Sequence, residues 1–384
     1  MDATLLETLK GWRRHLHAHP ELSQQERATA AFVRDRLTEL GIPFAAGVGG
    51  EGIVATLARG AGRSVGLRAD LDALPIAETS GLPHASVHPG VMHACGHDGH
   101  TVSLLGAAAA LARDTRWAGT VQLVFQPAEE NGAGAKAMIA DRLFDRFPME
   151  RIFAFHNWPG LAAGTVMVHD GPVMAAGGPW TITLHGEAGH AAKPHLTKDP
   201  IMAAGHLIVA LQSIVARNVP AHEQVVLSIG AIAGGTVTNQ IPASVTMRGT
   251  LRTYRTEVRG MVIEAMTRIA EGVAATFGMR AEIDIRSTGR PTVNTPDEAE
   301  MAAAAAVAAG LPVRRDLPPS GSGDDFAFML AERPGAYVWI GNGEDGPERE
   351  LHTGHYDFND AILPATVGWM SAVARVALAA PSAR

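Results

Sequence analysis

The chain is poor in several things. Among 384 residues it has one cysteine, Cys95, three tyrosines and 5% aromatic residues. One cysteine excludes an internal disulfide, so the fold has to hold through its core alone; a reducing compartment fits, as would any other. Charged residues are 18% of the chain, and 32 Lys and Arg stand against 39 Asp and Glu for a net charge of −7. That balance argues against a nucleic-acid surface, which needs a basic face. Long apolar runs are missing too. The longest apolar-looking one, 301–311, is Ala-rich and falls short of the roughly 20 residues of a membrane span. The N-terminal stretch is charged and amphipathic, without an apolar segment or a small-residue cleavage site, so no signal peptide is read. The expectation is a soluble, cytoplasmic protein with no nucleic-acid and no membrane partner.

Histidine is what the chain has in excess, with seventeen. His93, His97 and His100 share the stretch "VMHACGHDGH" (91–100) with the only cysteine. Such a balance calls for a chemical reason.

Apolar spacing predicts a helix over 3–17. Ser23 and Glu26 read as a capping box for a second helix that runs to Leu40 and stops at Gly41. From there strands and helices alternate: strands 53–58 and 64–70, helix 100–112, strand 120–126, helix 134–144 and strand 151–157. Apolar strands joined by helices imply a mostly parallel sheet with helices on both faces, an α/β fold. Past Gly177 the rhythm becomes strand 179–188, helix 199–219 with Asp199 as N-cap and Pro200 behind it, strands 224–234 and 243–254, helix 257–278 and strand 280–287. That is a βαββαβ unit of α+β type, an antiparallel sheet backed by two helices. Residues 287–297 read as a return linker, followed by helices 297–309 and 324–332, strand 336–341 and helix 361–379. The expected organisation is a larger domain in two parts, 1–176 and 289–384, interrupted by an inserted domain, 177–288.

Chemistry-bearing groups follow the large-domain strands. Asp70 and Asp72 end one, Glu129 and Glu130 in "PAEE" follow the next, His156 ends a third, and His352 and His355 lie in the loop after the last. "HACGHDGH" adds Cys95 and its histidines. Sites in α/β folds gather at the carboxyl ends of parallel strands. Acid, imidazole and thiol groups crowded there cost desolvation energy unless a cation or each other satisfies them, and their number suffices for two divalent metals. Each piece alone has a plainer reading: a strand-end His is usually a hydrogen-bonded surface group, "PAEE" a solvated loop, a free Cys a small buried apolar residue. His15, His17 and His19 read as a structural cluster at a helix end. The coincidence of five segments is what points to metal.

Eight motifs, "RRHLHAHPELSQQE", "RADLDALPI", "MHACGHDGHT", "QPAEE", "FHNWP", "GHAAKPH", "GGTVTNQIPA" and "LHTGHYDFNDAILP", resemble those of the aminoacylase and carboxypeptidase metallohydrolase family. They are similar in order and spacing to its branch with hippurate hydrolase, N-acyl-amino-acid amidohydrolases and indoleacetyl-amino-acid hydrolases. The resemblance implies a di-metal catalytic domain with an inserted dimerisation or lid domain, and hence a homodimer or higher homo-oligomer. It implies metal ligands at Cys95, His97, Glu130, His156 and His352, with Cys95 bridging as a thiolate. Gly354 stands where the family usually has Pro, and His355 nearby is a rival to His352. Glu129 resembles the general base and Asp70 a carboxylate that orients a ligand or the water. Asp98 is either a second such group or a helix cap. His190 resembles a histidine that reaches across the dimer to the oxyanion, and Asn239 and Arg252 a pair that holds the substrate carboxylate. Asp324, Asp325 and Phe326 stand where the branch often has Glu-Asp-Phe, and the role of that loop is left open.

The expected activity is metal-dependent hydrolysis of the amide bond of an N-acyl amino acid, a small-molecule substrate. The expected cofactors are two divalent ions per subunit, Zn²⁺ or Mn²⁺, with Ni²⁺ or Co²⁺ as alternatives. The rivals are an N-acetyl-diaminopimelate-type deacetylase, a dipeptidase, and a binding protein on the same scaffold. Glu129 argues against the last, because a binder needs no base.

Overall fold

The computed structural model describes residues 1–286, 289–343, 346 and 350–380. The chain forms two compact units: Met1–Val173, Val293–Pro318 and Asp324–Arg384 make unit 1, and Met174–Thr292 with Pro319–Gly323 make unit 2.

Unit 1 opens with helices α1 (Ala3–Ala18) and α2 (Arg27–Glu39), then strands β1 (Phe44–Ala46), β2 (Ile53–Arg59) and β3 (Ser64–Asp70). Helix α3 (His97–Arg113), β4 (Gly119–Gln126), α4 (Gly134–Ala140), α5 (Leu143–Arg146), β5 (Arg151–Pro159), β6 (Val166–Met167) and β7 (Pro172–Met174) follow. In β4 every residue from Val121 to Gln126 is buried, as expected of a strand covered on both faces. Two expectations fail here. Ser23 and Glu26 form no capping box. The Ser23 hydroxyl donates to Asp72 Oδ2 at 2.7 Å, and the Glu26 carboxylate accepts the Ala128 N–H at 2.7 Å. Buried groups near the site claim both side chains, and tertiary partners outweigh a local cap. The helix expected over 134–144 breaks into α4 and α5, because Arg142 takes φ 61°.

Unit 2 holds β8 (Ala176–His185), β9 (Gly189–His190), α6 (Pro200–Arg217), β10 (Val225–Ala233), β11 (Gln240–Ile241), β12 (Ser244–Thr253), α7 (Thr256–Thr276) and β13 (Arg280–Ile285). The sheet runs β10-β12-β8-β13 with every pairing antiparallel, the βαββαβ pattern read from the sequence. Along β8, Trp180, Ile182 and Leu184 are buried and pack with Leu207 and Leu211 of α6 and Val262 and Met266 of α7. Their period of two turns one face toward the helices. Asp199 caps α6 through Oδ1, which accepts from Ile201 N at 2.8 Å and Met202 N at 3.3 Å. It meets two of the donors a helix start leaves unpaired.

The chain returns to unit 1 through β14 (Thr292–Val293), α8 (Pro296–Ala308), β15 (Val313–Arg314), α9 (Phe326–Glu332), β16 (Gly335–Gly343) and α10 (Leu363–Ala379). The large sheet is ordered β1-β2-β4-β3-β5-β16-β6-β15, and its centre, β4-β3-β5-β16, is parallel. Val65, Leu67, Phe153 and Phe155 share a core with Trp369 of α10 and Leu104 of α3. Alternation sends Arg68, Ala154 and His156 to the opposite face, where the Arg68 guanidinium lies over Phe326 of α9. Among the described residues two segments, α6 and Asp360–Ala379, are long and apolar enough to cross a membrane, although the Ala-rich run is not among them; Asp360–Ala379 is 72% buried within the fold, as a core helix is.

Candidate metal centre and active site

The strand ends of unit 1 meet as the parallel register requires. Asp70 pairs with Gln126 and Arg68 with Ala154. Continued by two residues, that register sets Asp70 beside His156. Between them enters the Cys95–His97 turn. Gly96 takes φ 91° just before α3, and a Cβ there would lie 2.2 Å from Asn157 Oδ1 and 2.4 Å from the Tyr356 hydroxyl, so only glycine fits.

Two imidazoles are aimed by backbone carbonyls. His97 Nδ1–H donates to Asp72 O at 2.9 Å, and His156 Nδ1–H donates to Asn157 O at 2.7 Å. A carbonyl can only accept, so each Nδ1 carries a proton and each Nε2 is the atom left toward the site to take a proton or a metal ion. His156 Nε2 lies 3.3 Å from Cys95 Sγ. His97 Nε2 lies 3.7 Å from Asp70 Oδ2 and 3.9 Å from Glu130 Oε1. Among the described residues, neither His97 Nε2 nor Glu130 Oε1 has a hydrogen-bond partner, though both atoms are buried.

The last two segments arrive on strained backbone. Ala128 takes φ 53° and His352 φ 59°, a conformation that residues with a Cβ rarely adopt and that clusters at functional sites. The turn at Ala128 lets the adjacent Glu129 and Glu130 both face the cluster. It closes tightly: a Cβ on Gly134 would lie 1.6 Å from Pro127 O. His352 N–H donates to Ala94 O at 2.8 Å, and its Nε2 reaches within 3.6 Å of Glu130 Oε1. His355 turns elsewhere, with Nδ1 3.1 Å from Thr79 Oγ1. Of the two rivals, His352 is the one beside the cluster.

Ligand-type atoms of Cys95, His97 and His156 lie within 4.8 Å of one another, and so do those of Cys95, Glu130 and His352. Cys95 belongs to both sets. With protons as the only cations, the cluster holds them strongly. Burial and the nearby Glu130, Glu129 and Asp70 push the Cys95 thiol well above its usual value. Burial, then Asp324, Glu130 and Asp325, push Glu129 well up, and burial with Asp72 and Asp70 brings Glu130 to about 7 against the opposing His97. Burial lowers His97, but Asp70, Asp72 and Glu130 outweigh it and bring it to about 10. Burial keeps His156 neutral. A site that draws protons onto thiol, carboxyl and imidazole together will exchange them for metal dications. The orphaned His97 Nε2 and Glu130 Oε1 are the atoms such ions would satisfy, so the residues present fit two metals.

The family description "Peptidase family M20/M25/M40" matches residues 66–375. The chain belongs to this family. This M20 chain is 42% identical over 366 residues to an N-acetyl-L-cysteine deacetylase of Bacillus subtilis, covering 95% of the chain and 87% of that relative. It is 37% identical to a hippurate hydrolase of Campylobacter jejuni, covering 94% of both. Its structure matches that of a Bacillus subtilis protein described as a dinuclear metal binding peptidase from the M20 family, with a TM-score of 0.87, 35% identity and 98% and 99% of the two chains covered.

The remaining candidates divide. Asp70 bonds His100 Nδ1 at 2.6 Å and Arg68 Nη1 at 2.7 Å. Asp98 does not cap α3, whose N-cap is Gly96; its carboxylate accepts from Gly99 N at 2.9 Å and bonds His17 Nδ1 at 2.8 Å, not His97. Asp72 is gathered with the site groups by sequence reading, but without a role there. It holds His97 through its carbonyl and its Oδ1, and its Oδ2 accepts the Glu130 N–H at 3.0 Å. The alternation Arg68, Asp70, Asp72 could have signalled it, since residues two apart share a face.

In unit 2, β9 pairs with β11, Gln240 opposite His190, and Asn239 O accepts the Ala191 N–H at 3.0 Å. His190 and Asn239 are therefore neighbours. Gly186 N–H donates to Ala243 O, beside the start of β12. Arg252 sits eight residues along β12 from Ser244, roughly 27 Å at strand rise. Arg252 Nε donates to Gly321 O at 3.0 Å and Nη1 to Leu251 O at 3.1 Å. Unit 2 thus keeps Arg252 apart from the other two.

Proposed function

We propose that the chain is a cytoplasmic di-metal amidohydrolase that splits N-acyl amino acids into a carboxylic acid and a free amino acid. The observation that carries this reading is the pair of donor sets sharing Cys95, with a further carboxylate, Glu129, against them. Cys95, His97 and His156 would hold one ion, and Cys95, Glu130 and His352 the other, with Zn²⁺ or Mn²⁺ favoured by the donors. A reducing compartment keeps Cys95 available as a ligand. Bound there, the ions would supply the positive charge that polarises the scissile carbonyl and acidifies water.

The chain's own residues do the rest. Glu129 takes a proton from the attacking water on its carboxylate and delivers it to the departing amine nitrogen. Asp72 and Asn157 hold His97 and His156 in the tautomers that present Nε2. Arg252 grips the substrate carboxylate, and His190, with Asn239 beside it, donates to the carbonyl oxygen as charge develops on it; the expected pairing of Asn239 with Arg252 is not kept. The separation of Arg252 from His190 and Asn239 along unit 2 favours their serving two different active sites of a dimer. Ile201, Met202 and Val209 on α6 and Val226 and Ile232 on the outermost strand β10 are exposed. An apolar helix face beside an open strand edge suits a homodimer contact.

The test is a panel of acetyl, benzoyl, long-chain acyl and indoleacetyl amino acids, and dipeptides, with defined metals added. Turnover of acyl amino acids is expected; turnover of dipeptides alone would overturn the reading. Glu129→Gln should lower kcat about 1,000-fold with both metals retained, and loss of metal instead would make Glu129 a ligand.

A further inference from the structure

Four residues outside the proposed ligand set meet around one buried cation. Arg68 is 1% exposed. Its Nη1 donates to Asp70 Oδ2 at 2.7 Å, its Nε to Gln126 Oε1 at 2.9 Å, and its Nη2 to Asp324 Oδ1 at 3.1 Å and Asp325 Oδ1 at 3.4 Å. Tyr337 completes the frame by donating to Asp324 Oδ2 at 2.7 Å. The Asp324–Asp325 segment is thereby fixed to the centre of the sheet, on the face opposite α3 and α10.

Asp325 grips the Glu129 loop at three points. Its Oδ1 accepts Gln126 Nε2 at 2.6 Å, at the last residue before the loop. Its Oδ2 accepts Ala135 N–H at 2.9 Å, where the loop enters α4. Its own N–H donates to Glu129 Oε1 at 3.4 Å. Carboxylate oxygens of Glu129, Asp324 and Asp325 lie within 4.8 Å of one another. When Glu129 is ionised to act as the base, like charges at that range repel, and it would swing away from the pair if nothing held it. The Asp325 amide supplies the hold.

We propose that Asp325 is a positioning residue for Glu129: by clamping both ends of the 127–134 loop and donating its N–H to the carboxylate, it sets where the base stands. This rests on the reading of Glu129 as the base. The geometry separates the role from metal binding, because among the described residues no hydrogen bond or ion pair joins Asp325 to a proposed ligand. A shift of about 1 Å in a catalytic group can cost about 100-fold in rate.

The discriminating variant is Asp325→Asn in the metal-loaded enzyme. It keeps the shape, but its amide must turn an NH₂ toward either Ala135 N–H or Gln126 Nε2, donor against donor. Expected are a kcat lower by roughly 10- to 100-fold, KM within about twofold, two metals per chain, and rescue in neither metal excess nor high substrate. In the double variant Glu129→Gln/Asp325→Asn, the rate should equal that of Glu129→Gln alone, because a residue acting through Glu129 has nothing left to position. Equal slowing of wild type and Glu129→Gln by Asp325→Asn would overturn the proposal, as would a rise in KM alone or full activity. If Asp325→Asn does not fold, Gln126→Met removes one clamp and should give the same kcat pattern with the same dependence on Glu129. If Glu129→Gln itself keeps full activity, the base assignment fails, and that failure is read separately.

Discussion

In unit 1 most candidate residues lie inside the protein: Asp70 and His97 are fully buried, His156 is 5% exposed and Cys95 7%, while Glu129 and Glu130 are half-buried and His352 is exposed. In unit 2, His190 and Asn239 lie on the surface and Arg252 is half-buried. The interior set has to be satisfied within the chain or by cations, so its neighbours show what it is for: two orphaned atoms, two imidazoles aimed by carbonyls, and carboxyls that hold protons. His190 and Asn239 are open to solvent and carry no such imprint. A buried polar cluster states its chemistry in its geometry, while an exposed one acquires function only from what docks on it. Variants that weaken the interior frame should therefore change stability and metal binding, and variants of the surface set should change substrate handling alone.

The largest expected effect concerns His17, fully buried on α1. Burial lowers its basicity, but hydrogen bonds to Asp98 and Glu78 and the charge of Asp98 outweigh this and raise it to about 9, from 6.5. A histidine raised on folding stabilises fully below its unfolded value and loses that contribution as pH climbs through the folded value. The ionised His17 should thus add up to about 3 kcal/mol below pH ~6.5, fading by pH ~9 and above. His17→Gln should be less stable than wild type at pH 6.5 and close to it at pH 9.5, read from denaturant unfolding at both. A gap that does not shrink with pH would mean that His17 holds the frame as a neutral group.

Next comes Asp72, the anchor of His97 and of the Glu130 N–H. Asp72→Asn keeps the carbonyl contact but weakens the acceptor at Oδ1 and Oδ2. Support groups of this kind are worth about 10- to 100-fold in metal affinity. Competition against a chelator should show a loss of that size for one or both ions. Unchanged affinity would leave Asp72 a packing residue and shift the aiming of His97 onto the carbonyl alone.

Much of this was legible in the residues. The alternation of unit 2 was readable because one sheet face is buried and one is not, and Asp199–Pro200 marked a helix start that the structure keeps. The five site segments could be gathered without coordinates, since parallel strands deliver their carboxyl ends to one edge. What could not be read was who partners whom. Ser23 and Glu26 have the spacing of a cap, yet serve Asp72 and Ala128; Asp98 has the position of one, yet binds His17. Arg68 lies in a strand that reads as apolar, and its role as a hub depends on Asp324 and Asp325, 256 and 257 residues away. Local spacing encodes local structure; the choice among polar partners is made in the folded interior, where desolvation decides it.

The smallest expected effect tests the surface set. Arg252 is oriented by the carbonyls of Gly321 and Leu251 and packs against Gly177, where a Cβ would lie 2.9 Å from Arg252 Cζ. A planar fork held that way suits a carboxylate, and lysine offers only a point charge. Arg252→Lys should raise KM about tenfold, near 1.4 kcal/mol, for substrates with a free α-carboxylate, with kcat and metal content nearly unchanged. The same substrates amidated at that carboxylate should already bind weakly and should not distinguish variant from wild type. If both series lose equally, Arg252 is supporting unit 2 rather than reading the substrate, and the surface set would then share the structural character of the interior one.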